Sequence, residues 1–180
     1  IADGIKIKAA EADAMYAGIV IDTNNFTNQT GVRTFEAAAF LRRNGADVTR
    51  VRKLFRDDMQ DYKARAAAIS SAEIYREAFS IGVCPSEGLP SPTIVCAQAA
   101  NELLEIKGIK ASVVMTEYHG LIYLSARSID EVNVQVMMEK LGGGGHRTIA
   151  GAQLSGISME EAKDRVKAVI DEMLQKGDIS

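Results

Sequence analysis

The chain of 180 residues has no tryptophan, only 3 prolines, 2 cysteines and 2 histidines. Cys84 and Cys96 stand in no metal-ligand spacing and make no disulfide framework. A reducing, intracellular setting is the default for such a chain. There is no excess of positive charge, with Lys+Arg at 21, Asp+Glu at 24 and a net charge of −3. The pI of about 5.5 fits that balance. These values exclude the basic field that grips duplex nucleic acid regardless of sequence. A small anionic ligand needs only a few local cations and is not excluded. No apolar run reaches membrane-spanning length, and the N-terminus is no secretory signal. Repeats and low-complexity tracts are lacking too. The chain begins at Ile1 rather than Met, as a portion of a longer protein would.

What is present is a 47% hydrophobic content, enough for an ordinary core in one large or two small domains. Residues 5–15 read as a helix with Ile5, Ala9, Ala12 and Met15 on one side. Ile19 to Ile21 fit either a short buried strand or a helix end. Asp22 closes that apolar run, as a turn or helix-end residue would; a metal ligand is the other reading of a carboxylate placed there. Thr34 is an N-cap candidate for a helix over Phe35 to Arg43, which stops at Asn44-Gly45. A short helix follows over Asp47 to Phe55. Its basic neighbours Arg42, Arg43, Arg50, Arg52 and Lys53 read as a solvated face. Asp57 to Phe79 reads as one long, alanine-rich helix linking two lobes, with Phe79 to Val83 as an edge strand.

All three prolines fall between Pro85 and Pro92, in a loop. A helix then runs to Lys107 with Gly108 as its stop. Lys110 to Glu117 and Leu121 to Ala126 pair as strands turned at Tyr118-His119-Gly120, which makes His119 an exposed turn residue. Asn133 to Leu141 is helical, Ala150 to Leu154 is a strand, and Ser158 with Glu161 forms a capping box for a last helix to Lys176. On that helix Ala162, Val166, Val169, Ile170 and Met173 share the core face. The pattern is a mixed α/β fold in two lobes.

Between the helix and the strand lies Gly142-Gly143-Gly144-Gly145-His146. Glycine loses the most backbone entropy on folding, so a run of it has a reason. One reading is a flexible linker. The other is close approach of a ligand to bare amides, which form anion-binding concavities. His146 would then bond a phosphate oxygen. The tract is neither a Walker loop nor a dinucleotide fingerprint, since it follows a helix and lacks Gly-Lys-Ser/Thr. Arg127 and Ser128, at a strand end in the same lobe, add a bidentate fork and a hydroxyl.

Ser125-Ala126-Arg127-Ser128, Asn133-Val134-Gln135 and Gly142 to His146 with Ala150, Ala152 and Gln153 resemble the DHH-associated domain of DHH-family phosphoesterases. Ala17 to Thr23 and Thr30 to Phe35 resemble the end of the DHH catalytic domain. The combination is similar to the membrane-anchored phosphodiesterases that hydrolyse cyclic di-AMP. The resemblance implies the end of a catalytic domain over 1–56, a connecting helix and linker over 57–84, and a substrate-binding domain over 85–180. It implies a manganese site to which Asp22 contributes, and a phosphate cradle of Arg127, Ser128, Gly142, Gly143, Gly144, Gly145 and His146. The ligand would be a cyclic dinucleotide or a short oligonucleotide, on the cytoplasmic side of a membrane-anchored parent. This portion would make no membrane contact of its own, and a homodimer is compatible with it. The family's His-x-Asp-x-Asp and Asp-His-His motifs are absent from the sequence, so this chain would bind substrate rather than cleave it. A nanoRNA or adenosine-phosphate phosphoesterase, or a non-catalytic nucleotide-binding module, are the alternatives.

Overall fold

The computed structural model describes residues 6–27, 30–129 and 131–177. Ile5, expected on the first helix, lies outside them. The chain divides into two compact units, Ile1–Asp57 and Asp58–Ser180.

The first unit is helical. α1 (Ala9–Asp22) absorbs the ambiguous Ile19 to Ile21 stretch, α2 covers Val32–Arg43 and α3 covers Val48–Leu54. α1 ends where Thr23 turns its hydroxyl back onto the Ile19 carbonyl at 2.7 Å. The next three residues, Asn24, Asn25 and Phe26, all have positive φ and reverse the chain. Gly31, not Thr34, caps α2, which starts one turn earlier than the sequence pattern implies. Asp47 caps α3 by accepting from the Arg50 amide. Ala12, Leu41 and Ala46 form a small core.

The second unit is a six-stranded mixed sheet flanked by helices. Its elements are α4 (Met59–Ser70), β1 (Glu73–Tyr75), β2 (Phe79–Val83), α5 (Pro92–Leu103), β3 (Ala111–Tyr118), β4 (Leu121–Ser128), α6 (Val134–Glu139), β5 (Gly144–Gly145), β6 (Ile149–Ser155) and α7 (Met159–Lys176). The strand order is β1-β2-β3-β4-β6-β5. Only β2 and β3 run parallel, and α5 makes the crossover that a parallel pair requires.

Three segments differ from the sequence pattern. The helix expected through Phe79 ends at Ser70. A hairpin follows, turned at Arg76-Glu77 with φ of 47° and 62°, conformations for which neither residue is a signal. β2 is not an edge strand, because β1 covers one side and β3 the other. α4, read in sequence as the connection, packs within the second unit. Its Ala64 and Ala68 share a core with Val95, Cys96, Ala99, Leu103 and Val114.

Strand alternation decides what each face carries. Ala111, Val113 and Met115 of β3 join Leu124, Ala126, Met137, Val166 and Ile170 in the larger core beneath α6 and α7. Val114 turns the other way, into the α4–α5 core, and Ser112 donates to the Ala100 carbonyl of α5 at 2.6 Å.

Candidate ligand-binding groove

On the α5 face of the sheet a cavity of about 550 Å³ opens beside α5, over β4 and β6. Thr93 and Cys96 of α5 form one wall. Tyr123 and Ser125 of β4 with Gly151 and Gln153 of β6 form the floor, and Gly142 and Gly143 form the far rim. The register places Ser125 beside Gly151, and Gly151 beside Gly144 on β5. Gly151 keeps the floor flat, since a Cβ there would stand 2.9 Å from the Leu124 carbonyl oxygen.

Arg127 lies outside this lining but is hydrogen-bonded to one of its residues, Ser125. Its Nε donates to Asn101 Oδ1 at 3.0 Å, and its Nη1 donates to Ser125 Oγ at 3.0 Å and to the Ala126 carbonyl at 2.8 Å. All of these acceptors are neutral. Glu102, the acid next to Asn101, is paired instead with Arg65 at 2.6 Å. Burial pushes the Arg127 guanidinium below its ordinary pKa, a sign that water no longer solvates it fully. A half-buried cation with no carboxylate partner among the described residues favours any anion that can reach it. Burial also pushes the thiol of Cys96 up to about 12, with Sγ donating to the Val114 carbonyl at 3.1 Å. Cys96 is therefore a neutral wall and not a nucleophile.

The glycine tract has three separate tasks. Gly142, at φ 78°, is the left-handed residue that ends α6. Its amide donates to Glu139 and that of Gly143 to Met138, a Schellman-type closure. Gly143 and Gly145 are pressed onto β6. A Cβ at Gly143 would lie 2.6 Å from Ala152 Cα, and one at Gly145 would lie 2.5 Å from Ala150 Cα. Gly142 and Gly144 face open space at their Cβ positions. Close approach is thus real, but at Gly143 and Gly145 the approaching body is the neighbouring strand. The amides of Gly142, Gly143 and His146 already donate to backbone carbonyls. His146 is exposed in the turn that joins β5 to β6, where its amide donates to Ile149 at 2.7 Å.

Arg127 and Ser128 point to opposite faces of β4, as consecutive strand residues must. Ser128 is 7% exposed, and its hydroxyl donates to the Val132 carbonyl at 2.6 Å. It ties down the loop that follows the strand and does not face the groove. Asp22 belongs to the first unit, in a separate hollow of about 390 Å³ with Ile19, Thr23, Arg33, Thr34 and Ala37. A divalent manganese site needs several converging carboxylate or imidazole donors. This hollow supplies one carboxylate and an arginine. Among the described residues no three His, Cys, Asp or Glu side chains gather anywhere. The residues present do not fit the metal by themselves.

Asn101, Thr93, Tyr123, Gly151 and Gln153 were not singled out as site residues by the sequence pattern. The signal that finds three of them is β-alternation. Once Arg127 is placed on one face, Tyr123 follows at i−4, and Gly151 and Gln153 come from the strand pairing with Ser125 and Tyr123.

Residues 91–176, from the start of α5 to the end of α7, match the DHHA1 domain. The chain carries that domain over most of its second unit. It is 42% identical over 175 residues to the cyclic-di-AMP phosphodiesterase GdpP of Bacillus subtilis (strain 168), covering 96% of this chain and 27% of that protein. It is 43% identical over 162 residues to the cyclic-di-AMP phosphodiesterase PdeA of Listeria monocytogenes serotype 1/2a (strain 10403S), covering 89% of this chain and 24% of that one. The chain thus spans about a quarter of the length of these curated relatives. An exopolyphosphatase-related protein from Bacteroides fragilis superposes with a TM-score of 0.82 over 93% of this chain and 51% of its own, at 22% identity, a likeness of fold alone.

Proposed function

We propose that this chain is the substrate-binding portion of a phosphodiesterase that hydrolyses cyclic di-AMP to the linear dinucleotide, and that its groove holds the ligand's phosphates. The observation that carries the reading is Arg127, a partly buried guanidinium held by Asn101, Ser125 and Ala126 with no carboxylate among these partners. The similarity to two proteins named as cyclic-di-AMP phosphodiesterases supports the choice of ligand. In this reading Arg127 is the main phosphate contact, and the Gly142–Gly144 rim admits the ligand because it carries no side chains. His146, exposed at the end of β5, is a second phosphate contact. Ser128 acts indirectly, by fixing the end of β4. The manganese implied by the family resemblance finds no complete donor set among the described residues, and in this reading they bind and orient the ligand.

We place the chain on the cytoplasmic side of a membrane-anchored parent. No helix among the described residues is long and apolar enough to cross a membrane. Backbone amide NMR of the chain during titration with cyclic di-AMP tests the proposal. Shifts should concentrate at 123–127, 142–146 and 151–153. Shifts confined to the first unit, or none at all, would remove it.

A further inference from the structure

The groove has a second end that phosphate binding does not use. Tyr123 and Gln153 are direct cross-strand partners on β4 and β6, and both line the cavity. The Tyr123 ring is half-buried and braced by Tyr118, with centroids 6.4 Å apart at 55°. Gln153 is exposed on the groove floor, and no hydrogen bond among the described residues engages its side-chain amide. Arg127 reaches back to Ser125, so its charge sits over a position two residues from Tyr123, roughly 7 Å along the strand. A cation and an aromatic ring at that separation match the span from phosphate to base within one nucleotide. Inorganic phosphate or polyphosphate chains would have no use for the ring.

We propose that Tyr123 and Gln153 form a nucleobase seat, in which Tyr123 stacks the base and Gln153 reads the edge of adenine. The chemistry selects the base. A glutamine amide offers one acceptor and one donor side by side, which pair with the adenine N6 amine and N7. Guanine presents two acceptors along the same edge, O6 and N7, and would leave Gln153 Oε1 facing an acceptor. Stacking on Tyr123 is indifferent to base identity, so it supplies affinity while Gln153 supplies choice. The inference rests on the phosphate-groove reading above and assigns the specificity of that same site.

The test is calorimetric titration of the chain with cyclic di-AMP, cyclic di-GMP and inorganic pyrophosphate. Cyclic di-AMP should bind about tenfold or more tighter than cyclic di-GMP. Gln153→Ala should bring that ratio to about threefold or less with pyrophosphate binding unchanged, because an exposed strand side chain with no hydrogen bond among the described residues is dispensable to the fold. Tyr123→Leu should weaken both dinucleotides by about tenfold, and Tyr123→Phe should restore them, which separates stacking from a packing defect. Equal affinity of the unsubstituted chain for the two dinucleotides, or an unchanged ratio in Gln153→Ala, overturns the seat while the phosphate groove stands. If pyrophosphate binds and neither dinucleotide does, the groove's assignment to cyclic dinucleotides falls, and the seat falls with it.

Discussion

Replacing Gly143 with alanine adds one methyl group at the most crowded glycine of the groove rim. That carbon would stand 2.6 Å from both Cα and Cβ of Ala152, and it would also strike the Gly151 carbonyl oxygen. The obstructing atoms are mostly backbone, so no rotamer change relieves the clash. Two outcomes are open to the fold. The strands stay paired under strain, which for an overpacked site costs about 1–3 kcal/mol. Otherwise β5 peels from β6 and loses pairing at Gly144 and Gly145, at about 0.5–1.5 kcal/mol per hydrogen bond. Both routes give a destabilisation of about 1–3 kcal/mol, and both displace a residue that lines the cavity. For a domain of this size the loss lowers Tm by roughly 3–12 °C. Gly144→Ala is the control. No atom lies within 4 Å of its Cβ position, and Gly144 is not among the positive-φ glycines. Its expected effect is neutral to about 0.5 kcal/mol stabilising, through the unfolded chain. Thermal unfolding of the two variants side by side gives opposite signs on this account. A Gly143→Ala protein as stable as its parent, or an equal loss at Gly144, would refute the close-approach reading of the tract.

Two further outcomes concern ionisation. Lys140 and Lys176 hold the Glu172 carboxylate at 2.8 Å and 2.6 Å, and these hydrogen bonds lower its pKa from the usual 4.5 to about 2. A pKa depressed by folding stabilises the protein fully above the unfolded value and loses that stabilisation as pH falls toward the folded one. Glu172→Gln should therefore flatten the decline in urea midpoint between pH 4.5 and 2; the change is small because the pair is exposed. An unchanged acid slope would dismiss this link between α6 and α7. Burial also pushes Cys84 up to about 11 and Cys96 up to about 12, so native alkylation near pH 8 should be negligible and should become rapid in urea. Fast labelling of native Cys96 would contradict the closed, neutral wall assigned to it.

Local signals in the sequence specify much of the second unit. The β3–β4 hairpin is legible because His119 and Gly120 both take positive φ, the geometry of a two-residue hairpin turn. α7 is legible from its 3.6-residue period, and the five core positions read from that period are all buried. Its capping box forms as Ser158 and Glu161 imply. The features that escape sequence reading depend on partners far along the chain. The turn at Arg76-Glu77 carries no glycine, so nothing local marks the β1–β2 hairpin. The glycines read as a ligand cradle because the strand they press against begins only at Ile149, and one-dimensional periodicity does not show that packing. Asn101 and Arg127 meet across 26 positions of sequence. Ser128 is the instructive case. Its partition from Arg127 follows from strand alternation, yet adjacency in sequence had grouped the two together.

The most direct measurement is the affinity of cyclic di-AMP for the intact chain against that for Arg127→Ala. A charge-assisted hydrogen bond contributes about 1.5–3 kcal/mol, so the substitution should weaken binding by about 10- to 150-fold with the fold preserved. Arg127→Lys should recover only part of the loss, since it restores the charge without the fork. Equal affinity of the parent and Arg127→Ala proteins would contradict the claim that this guanidinium, which has no carboxylate partner among the described residues, is the groove's phosphate contact.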